Sequence, residues 1–453
     1  MKKCLLIVIA ACTVNRMYAQ SPVIIQRDAE IASMVSEVSA DSMKNNIVRL
    51  VSFGTRNTLS STTNPQRGIG AARNWILSRF KSFTAASGGR FTVAFDTSTY
   101  KPDGKRIDST VVLTNVVGAL KGTDPNDHRI FVISGHMDNM RSSVMDRTGI
   151  APGANDDGSG TAAVMECARI MSRHKFPATI IFVAVCGEEQ GLLGAGFMAA
   201  NAKRNKWHIE AVLNNDIMGS NNSNETNIIN NTRVRVFSEG LPAFELNEQK
   251  AAAIRAMGLE NDGPSRQLAR YVKEVGERYV DNLEVVMIYR PDRFLRGGDH
   301  LPYQQQGYAA VRITEMNENF NHQHQDVRVE NGVQYGDLPE FMDYEYLRKN
   351  TAMNLSNLAN LAKSPQAPQD VNIAVVALSN STELSWRAPA GKVAGYYILM
   401  RETTSPVWQK KIFTADTKIK LPYSKDNYFF AVQSVSAAGN EGLPVVPTVS
   451  RKR

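Results

Sequence analysis

Arg129-Ile130-Phe131-Val132-Ile133-Ser134-Gly135, followed at once by His136-Met137-Asp138, decides how this chain reads. A run of apolar β-branched and aromatic residues, not alternating with polar ones, is the pattern of a strand buried on both faces. The pattern recurs at 178–186, 210–214 and 309–314. Between the first two runs, residues 161–172 put Ala163, Val164, Cys167, Ile170 and Met171 on one helical face. Strands alternating with helices predict an α/β fold: a three-layer α/β/α arrangement of a mixed, mostly parallel sheet with helices on both faces. Upstream, 28–53 and 68–84 show helical apolar spacing, the second through Ala71, Trp75, Ile76, Phe80 and Phe83. The Asn-rich stretch 220–231 fits a surface loop, and no internal repeat is present.

The character changes near Ser364-Pro365-Gln366-Ala367-Pro368. Before it, 346–361 reads as a last amphipathic helix. After it come short alternating segments at 371–377, 383–386, 395–401 and 428–434. Short strands punctuated by Pro and Gly predict a small all-β, immunoglobulin-like sandwich over 365–453. Trp386, the Tyr396-Tyr397 strand, Leu421 seven residues before Tyr428, and Ser436-Ala437-Ala438-Gly439-Asn440-Glu441 resemble a fibronectin type III module.

With 453 residues, 43% hydrophobic and 21% charged, the composition is that of a globular protein and excludes collagen, a coiled-coil rod and a wholly disordered chain. No apolar run reaches the ~18–20 residues that span a bilayer, so no transmembrane segment is expected. Met1-Lys2-Lys3 and the apolar 4–14 read as a signal peptide ending at Ala19, which makes 20–364 the main domain. The chain is then exported, periplasmic or extracellular. Ile9-Ala10-Ala11-Cys12 also fits a bacterial lipoprotein signal, with anchoring through Cys12 as the alternative. Losing Lys2, Lys3 and Arg16 takes the net charge from +8 to +5, and the remaining Lys and Arg are scattered rather than massed. That argues against a nucleic-acid partner. The remaining Cys167 and Cys186 sit in apolar stretches and read as free buried thiols.

Four segments concentrate metal-binding side chains where apolar strands end: Gly135-His136-Met137-Asp138, the 152–160 run with Asn155-Asp156-Asp157-Gly158, Gly187-Glu188-Glu189-Gln190-Gly191, and Asn214-Asn215-Asp216. Asp299-His300 and the 321–326 run with His322, His324 and Asp326 follow later. Ligands of open α/β sheets bind outside the carboxyl ends of the strands, so His136, Glu189 and Asp216 arrive at one edge. Carboxylates gathered in a buried site are costly unless cations neutralise them. A mixed His and carboxylate set suits zinc, with cobalt or manganese as substitutes. Taken singly, His-x-Asp is an ordinary surface pair, Asn-Asp-Asp-Gly a helix cap, and Glu188-Glu189 two solvated acids. Their ordered conjunction at strand ends points to a metal site.

In this ordered set the chain resembles the secreted di-zinc exopeptidases of the bacterial leucyl aminopeptidase and aminopeptidase Y type, from about Phe53-Gly54-Thr55-Arg56 to the histidine cluster. The resemblance implies two zinc ions, one on His136, Asp156 and Asp216, the other on Asp156, Glu189 and a late histidine, with Asp156 bridging. It implies Glu188 as general base, and Asp138 as acceptor of the second ring N–H of His136. For the late histidine, His322 has the family's spacing to Asp326, but His324 is preceded by a basic residue two positions back and is favoured, with His322 as alternative. Asp299 and His300 match a segment that lines the substrate side.

The function expected is a secreted zinc aminopeptidase acting on peptides. Carboxypeptidases and dipeptidases share the architecture, and Arg290, Arg293 and Arg296 keep a carboxylate-binding pocket open. Glutaminyl cyclases use one metal, which five ligands argue against. The rival class is a metal-stabilised binding protein presenting its C-terminal module to a glycan or cell surface, against which Glu188 beside Glu189 argues.

Overall fold

The computed structural model describes residues 26–376 and 378–450. The signal-peptide and Cys12 expectations lie outside the described residues. An eight-stranded sheet organises the larger part of the chain, built from β1 (Phe91–Tyr100), β2 (Val111–Leu120), β3 (Arg129–His136), β4 (Thr179–Val185), β5 (His208–Asn215), β6 (Arg233–Phe237), β7 (Glu284–Ile288) and β8 (Ala310–Glu315). The strand order is β1-β2-β4-β3-β5-β8-β6-β7. The centre, β4-β3-β5-β8, is parallel, whereas β1-β2, β2-β4 and β8-β6 are antiparallel. This is the mixed, mostly parallel sheet that the uninterrupted apolar runs require.

The helices are α1 (Ala29–Ser36), α2 (Ala40–Val51), α3 (Ile69–Ser82), α4 (Gly158–Met171), α5 (Leu193–Arg204), α6 (Glu248–Met257), α7 (Pro264–Tyr279), α8 (His300–Gln305) and α9 (Tyr344–Lys363). On one face α4, α7 and α9 pack on the sheet with α1 and α2 over them, and on the other lie α5 and α8. The expected helix over 28–53 is two helices, because the Ser39 hydroxyl accepts the Ser42 N–H and starts α2 afresh. All thirteen residues of α4 from Gly158 to Ala168 plus Ile170 and Met171 are buried, so this helix sits between layers rather than at the surface. Cys167 and Cys186 are free and buried. Among the described residues no helix is long and apolar enough to cross a membrane.

A two-stranded hairpin, β9 (Arg328–Glu330) and β10 (Val333–Tyr335), precedes α9. Beyond α9 follow β11 (Gln369–Ala374), β12 (Thr382–Arg387), β13 (Gly395–Glu402), β14 (Lys410–Thr414), β15 (Lys418–Leu421), β16 (Tyr428–Val435) and β17 (Thr448–Ser450). They form sheets of order β15-β12-β11-β17 and β14-β13-β16. One apolar cluster joins them, with Val371, Leu384 and Trp386 from the first sheet against Tyr396, Ile398 and Val432 from the second.

These small sheets are bolted to the rest by buried polar contacts. Asp262 takes Arg270 at 2.9 Å and Arg401 at 2.6 Å. Glu441 accepts from Arg278, Lys411 and Asn360. Asn440 Nδ2 donates to Asp28 Oδ2 at 3.0 Å, and Lys363 pairs with the same carboxylate at 3.0 Å. The first described helix, the last long helix and the small sheets thus meet at one point.

Candidate active site

The carboxyl ends of β3, β4 and β5 bring the strand-end motifs to one edge of the sheet. His136 is the last residue of β3, Glu188 and Glu189 lie in the turn after β4, and Asp216 follows β5. Asp156 comes from the loop before α4, and His324 from the loop before β9. His136 Nε2 lies 3.2 Å from Asp156 Oδ1 and 3.7 Å from Asp216 Oδ1. His324 Nε2 lies 2.9 Å from Asp156 Oδ2 and 3.3 Å from Glu189 Oε1. Two three-residue clusters therefore share Asp156, one oxygen facing each, and a third links His136 with Glu188 and Glu189. All but Glu188 and His324 are buried, and these two are partly exposed in the cleft.

The electrostatics mark the site as one built for cations. Burial disfavours charge on His136 and His324, yet the facing acids outweigh it and raise both imidazoles, His324 to about 11. Burial opposes ionisation of Asp156 too, but His324 and His136 hold it well below the usual carboxylate range. Glu188 is pushed well up, by burial first and then by Asp216, Glu189 and Asp299. Buried Glu189 Oε1 has no hydrogen-bond donor. An orphaned carboxylate oxygen among imidazole nitrogens and carboxylates is a donor set that fits zinc.

A second group of residues holds the ligand loops. The Asp138 carboxylate accepts the N–H groups of Gly187, Glu188 and Glu189 at 2.9, 3.3 and 3.2 Å and the Thr58 hydroxyl at 3.0 Å, so it shapes the glutamate turn. The expected contact to the His136 ring is made instead by the Asp138 backbone carbonyl, 3.1 Å from Nδ1, while the carboxylate stands at 3.8 Å. Asp157 takes the His136 N–H at 2.9 Å and the Gly160 N–H at 2.8 Å, tying β3 to the start of α4. Asp337 takes the N–H groups of Asn155 and Asp156 at 2.9 and 2.7 Å, and its burial pushes its carboxyl up to about 7. Arg56, fully buried, donates to the carbonyls of Met137, Pro152 and Gly153, each at 2.7 Å. Arg312 reaches Asp216 Oδ2 at 2.9 Å. Sequence reasoning missed Asp157, Asp337 and Arg312 as site residues, and saw Arg56 only as the edge of a resemblance.

Three expected site residues are not among the clustered metal donors. His322 stacks flat on Phe341 with ring centroids 3.7 Å apart, and burial pulls its imidazole down to about 4. His300 is fully buried, donates from Nε2 to the Pro291 carbonyl at 2.7 Å, and is likewise pulled down to about 4 by burial. Asp299 is buried beneath the acidic cluster, its carboxyl raised to about 8 by burial and by Asp138 and Asp216 against His136. Neither Asp299 nor His300 lines the cleft, which corrects their expected place on the substrate side: the segment turns inward where α8 begins. The cleft itself, about 410 Å³, is walled by Met140, Leu192 and Leu295 and by Arg106, Arg293 and Arg296 around the acids.

Such clustered His and carboxylate donors at the carboxyl edge of an α/β sheet define a metal-dependent hydrolase, and comparison with known proteins gives its kind. Residues 115–338 match the model of peptidase family M28. The chain is 43% identical to a protein of Leptosphaeria maculans named a probable zinc metalloprotease, over 93% of this chain and 97% of that one. A protein of the same name from Pyricularia oryzae is 42% identical over 93% of this chain and 84% of its own. The chain belongs to peptidase family M28 and is a zinc metallopeptidase. Its fold resembles that of the LapA aminopeptidase of Legionella pneumophila (TM-score 0.52, 18% identity, 74% of this chain and 76% of that one). It also resembles an aminopeptidase of Aneurinibacillus sp. strain AM-1 (TM-score 0.50, 14% identity, 72% and 95%).

Proposed function

We propose that this metallopeptidase is an exported aminopeptidase that removes N-terminal residues from peptides with two zinc ions. The observation that carries the reading is the pair of clusters sharing Asp156, His136–Asp156–Asp216 and Asp156–Glu189–His324. These five residues would hold the two ions, Asp156 belonging to both clusters. Bound there, the ions would supply Lewis-acid chemistry, polarising a carbonyl and acidifying water. Glu188, one residue before a ligand and open to the cleft, takes the proton of the attacking water and delivers it to the leaving amine. Its upward-shifted carboxyl suits a group that must both accept and return a proton. Asp138 keeps Glu188 and Glu189 in their different orientations through the three N–H groups it holds.

The division of the chain at 364/365 and the fibronectin type III character of the C-terminal sheets belong to this reading, with contact to a cell surface or glycan as the role that such a module suits. The leader-like 1–19 supports export. The test is mass spectrometry of products from peptides with free and acetylated N-termini, incubated with the zinc-loaded protein. Stepwise loss from the free amino end alone is expected. Loss from the carboxyl end, or release of intact dipeptides, overturns the aminopeptidase assignment.

A further inference from the structure

The loop between β7 and α8 brings Arg293, Leu295, Arg296 and Gly297 into the cleft wall. The guanidinium groups of Arg293 and Arg296 share their nearest carboxylates with other arginines. Glu318, a side chain only 6% exposed, takes Arg235 at 2.8 Å, Arg293 at 3.2 Å and Arg296 at 3.1 Å. Asp292 is divided between Arg293 at 3.1 Å and Arg312 at 3.5 Å. Arg312 also leans on Asp216, but that carboxylate belongs to the metal-binding cluster and its charge is needed there. Four guanidinium groups are left with two carboxylates of their own.

Cationic charge held in a partly desolvated wall is costly until an anion completes it. Arg296 is the member with donors to spare. Among the described residues its guanidinium makes one hydrogen bond, from Nη1 to Glu318, and its side chain is 35% exposed. Its planar fork matches a carboxylate in two-pronged geometry. Leu192, Leu295 and Met140 offer apolar wall beside it for the methylene groups that carry such a carboxylate. Arg106, held by the Glu189 carbonyl, adds a further cation to the same cleft.

We propose that Arg296, seated by Glu318 and backed by Arg293, binds a carboxylate of the substrate within about a residue of the scissile bond. The inference rests on the exopeptidase reading and names its substrate class: peptides acidic at the cleaved end. The carboxylate comes from an acidic first residue, an acidic second residue, or the free α-carboxylate of a dipeptide, and matched substrates tell these apart. The pairs are glutamyl-alanine amide against glutaminyl-alanine amide, alanyl-glutamate amide against alanyl-glutamine amide, and alanyl-alanine against its amide.

For one pair, kcat/KM is expected to favour the carboxylate by about tenfold, the strength of one hydrogen-bonded charge pair. Arg296→Gln should bring that ratio below about twofold, and Arg296→Lys should keep part of it, since lysine retains charge without the fork. Ratios near one for all three pairs, or a preference untouched by Arg296→Gln, overturn the carboxylate site while leaving the exopeptidase reading intact. If no peptide is cleaved, that reading falls and calorimetry decides the site. Zinc-loaded Glu188→Gln protein should then bind the carboxylate member of one pair about tenfold tighter, an advantage lost with Arg296→Gln. Equal binding overturns the proposal.

Discussion

Replacing Arg56 by methionine tests whether a buried guanidinium is the strut between two ligand loops. Its three donors reach carbonyls of the segments that carry His136 and Asp156, all at 2.7 Å and away from solvent. Methionine preserves the apolar stem and strands two carbonyl oxygens, those of Met137 and Pro152, since Gly153 O also accepts the Gly158 N–H at 3.1 Å. At about 1–3 kcal/mol for each buried acceptor left unpaired, the loss lies between roughly 2 and 6 kcal/mol. The lower half of that span applies, because removing the guanidinium also relieves its own desolvation. That strain is visible in a side chain pulled down to about 10 by burial, against the support of Asp337, Asp157, Asp138 and Asp156. A loss of about 2–4 kcal/mol is a large share of the ~5–15 kcal/mol that keeps an ordinary domain folded. Urea unfolding of wild type and variant, with zinc content measured on the same samples, is the assay. The midpoint should fall, and zinc affinity should drop about 10–100-fold as the two loops lose their register. A midpoint shift worth less than about 1 kcal/mol, with zinc fully retained, refutes the strut.

Other substitutions separate the roles within the cluster. Glu188→Gln should keep both metals and lose turnover by at least ~100-fold, read as kcat beside metal content; near-normal kcat removes Glu188 from the base role. Glu189→Ala and His324→Ala should each lose zinc, whereas His322→Ala, which unstacks from Phe341, should retain it; the reverse result exchanges the two histidines. Glu441 sets an acid limit on the docking of the small sheets. Although burial opposes its charge, Lys411, Arg278 and Asn360 depress it from 4.5 to about 2. A depressed carboxylate stabilises the fold above its unfolded value and loses that contribution as pH falls through its folded one. The melting temperature should therefore drop between about pH 4.5 and 2, and Glu441→Gln should flatten that limb while lowering stability at neutral pH.

The strands legible in the sequence were those with both faces covered. In β3, β4, β5 and β8 the side chains face helices above and below, so the runs are uninterrupted and the chemistry begins where they stop. By contrast β1 has one buried residue, Phe91, and its mixed pattern gives neither a clean alternation nor an apolar run. The metal-cluster candidates were legible because His and acids at strand ends are unusual in company. Arg56, Asp157 and Asp337 were not, because they act on backbone N–H and C=O groups of residues far along the chain, and backbone leaves no mark in a sequence. The choice between His322 and His324 turned on a loop in which His324 adopts φ +54°, a conformation that spacing alone does not reveal. Asp299 and His300 misled for a related reason: their segment opens a buried helix rather than a rim.

The meeting of Asp28 with Asn440 spans 412 positions of chain. A ribosome adding ~5–20 residues per second needs roughly 20 to 80 s to make the second partner after the first. Before then α1 can already pack on α9 and Asp28 can pair with Lys363, but Asn440 and Glu441, which complete the lock with Asp28, Asn360 and Arg278, come only after β16. The nascent chain therefore carries an open seam until the turn after β16 has been made, and a chain cut before Asn440 never closes it.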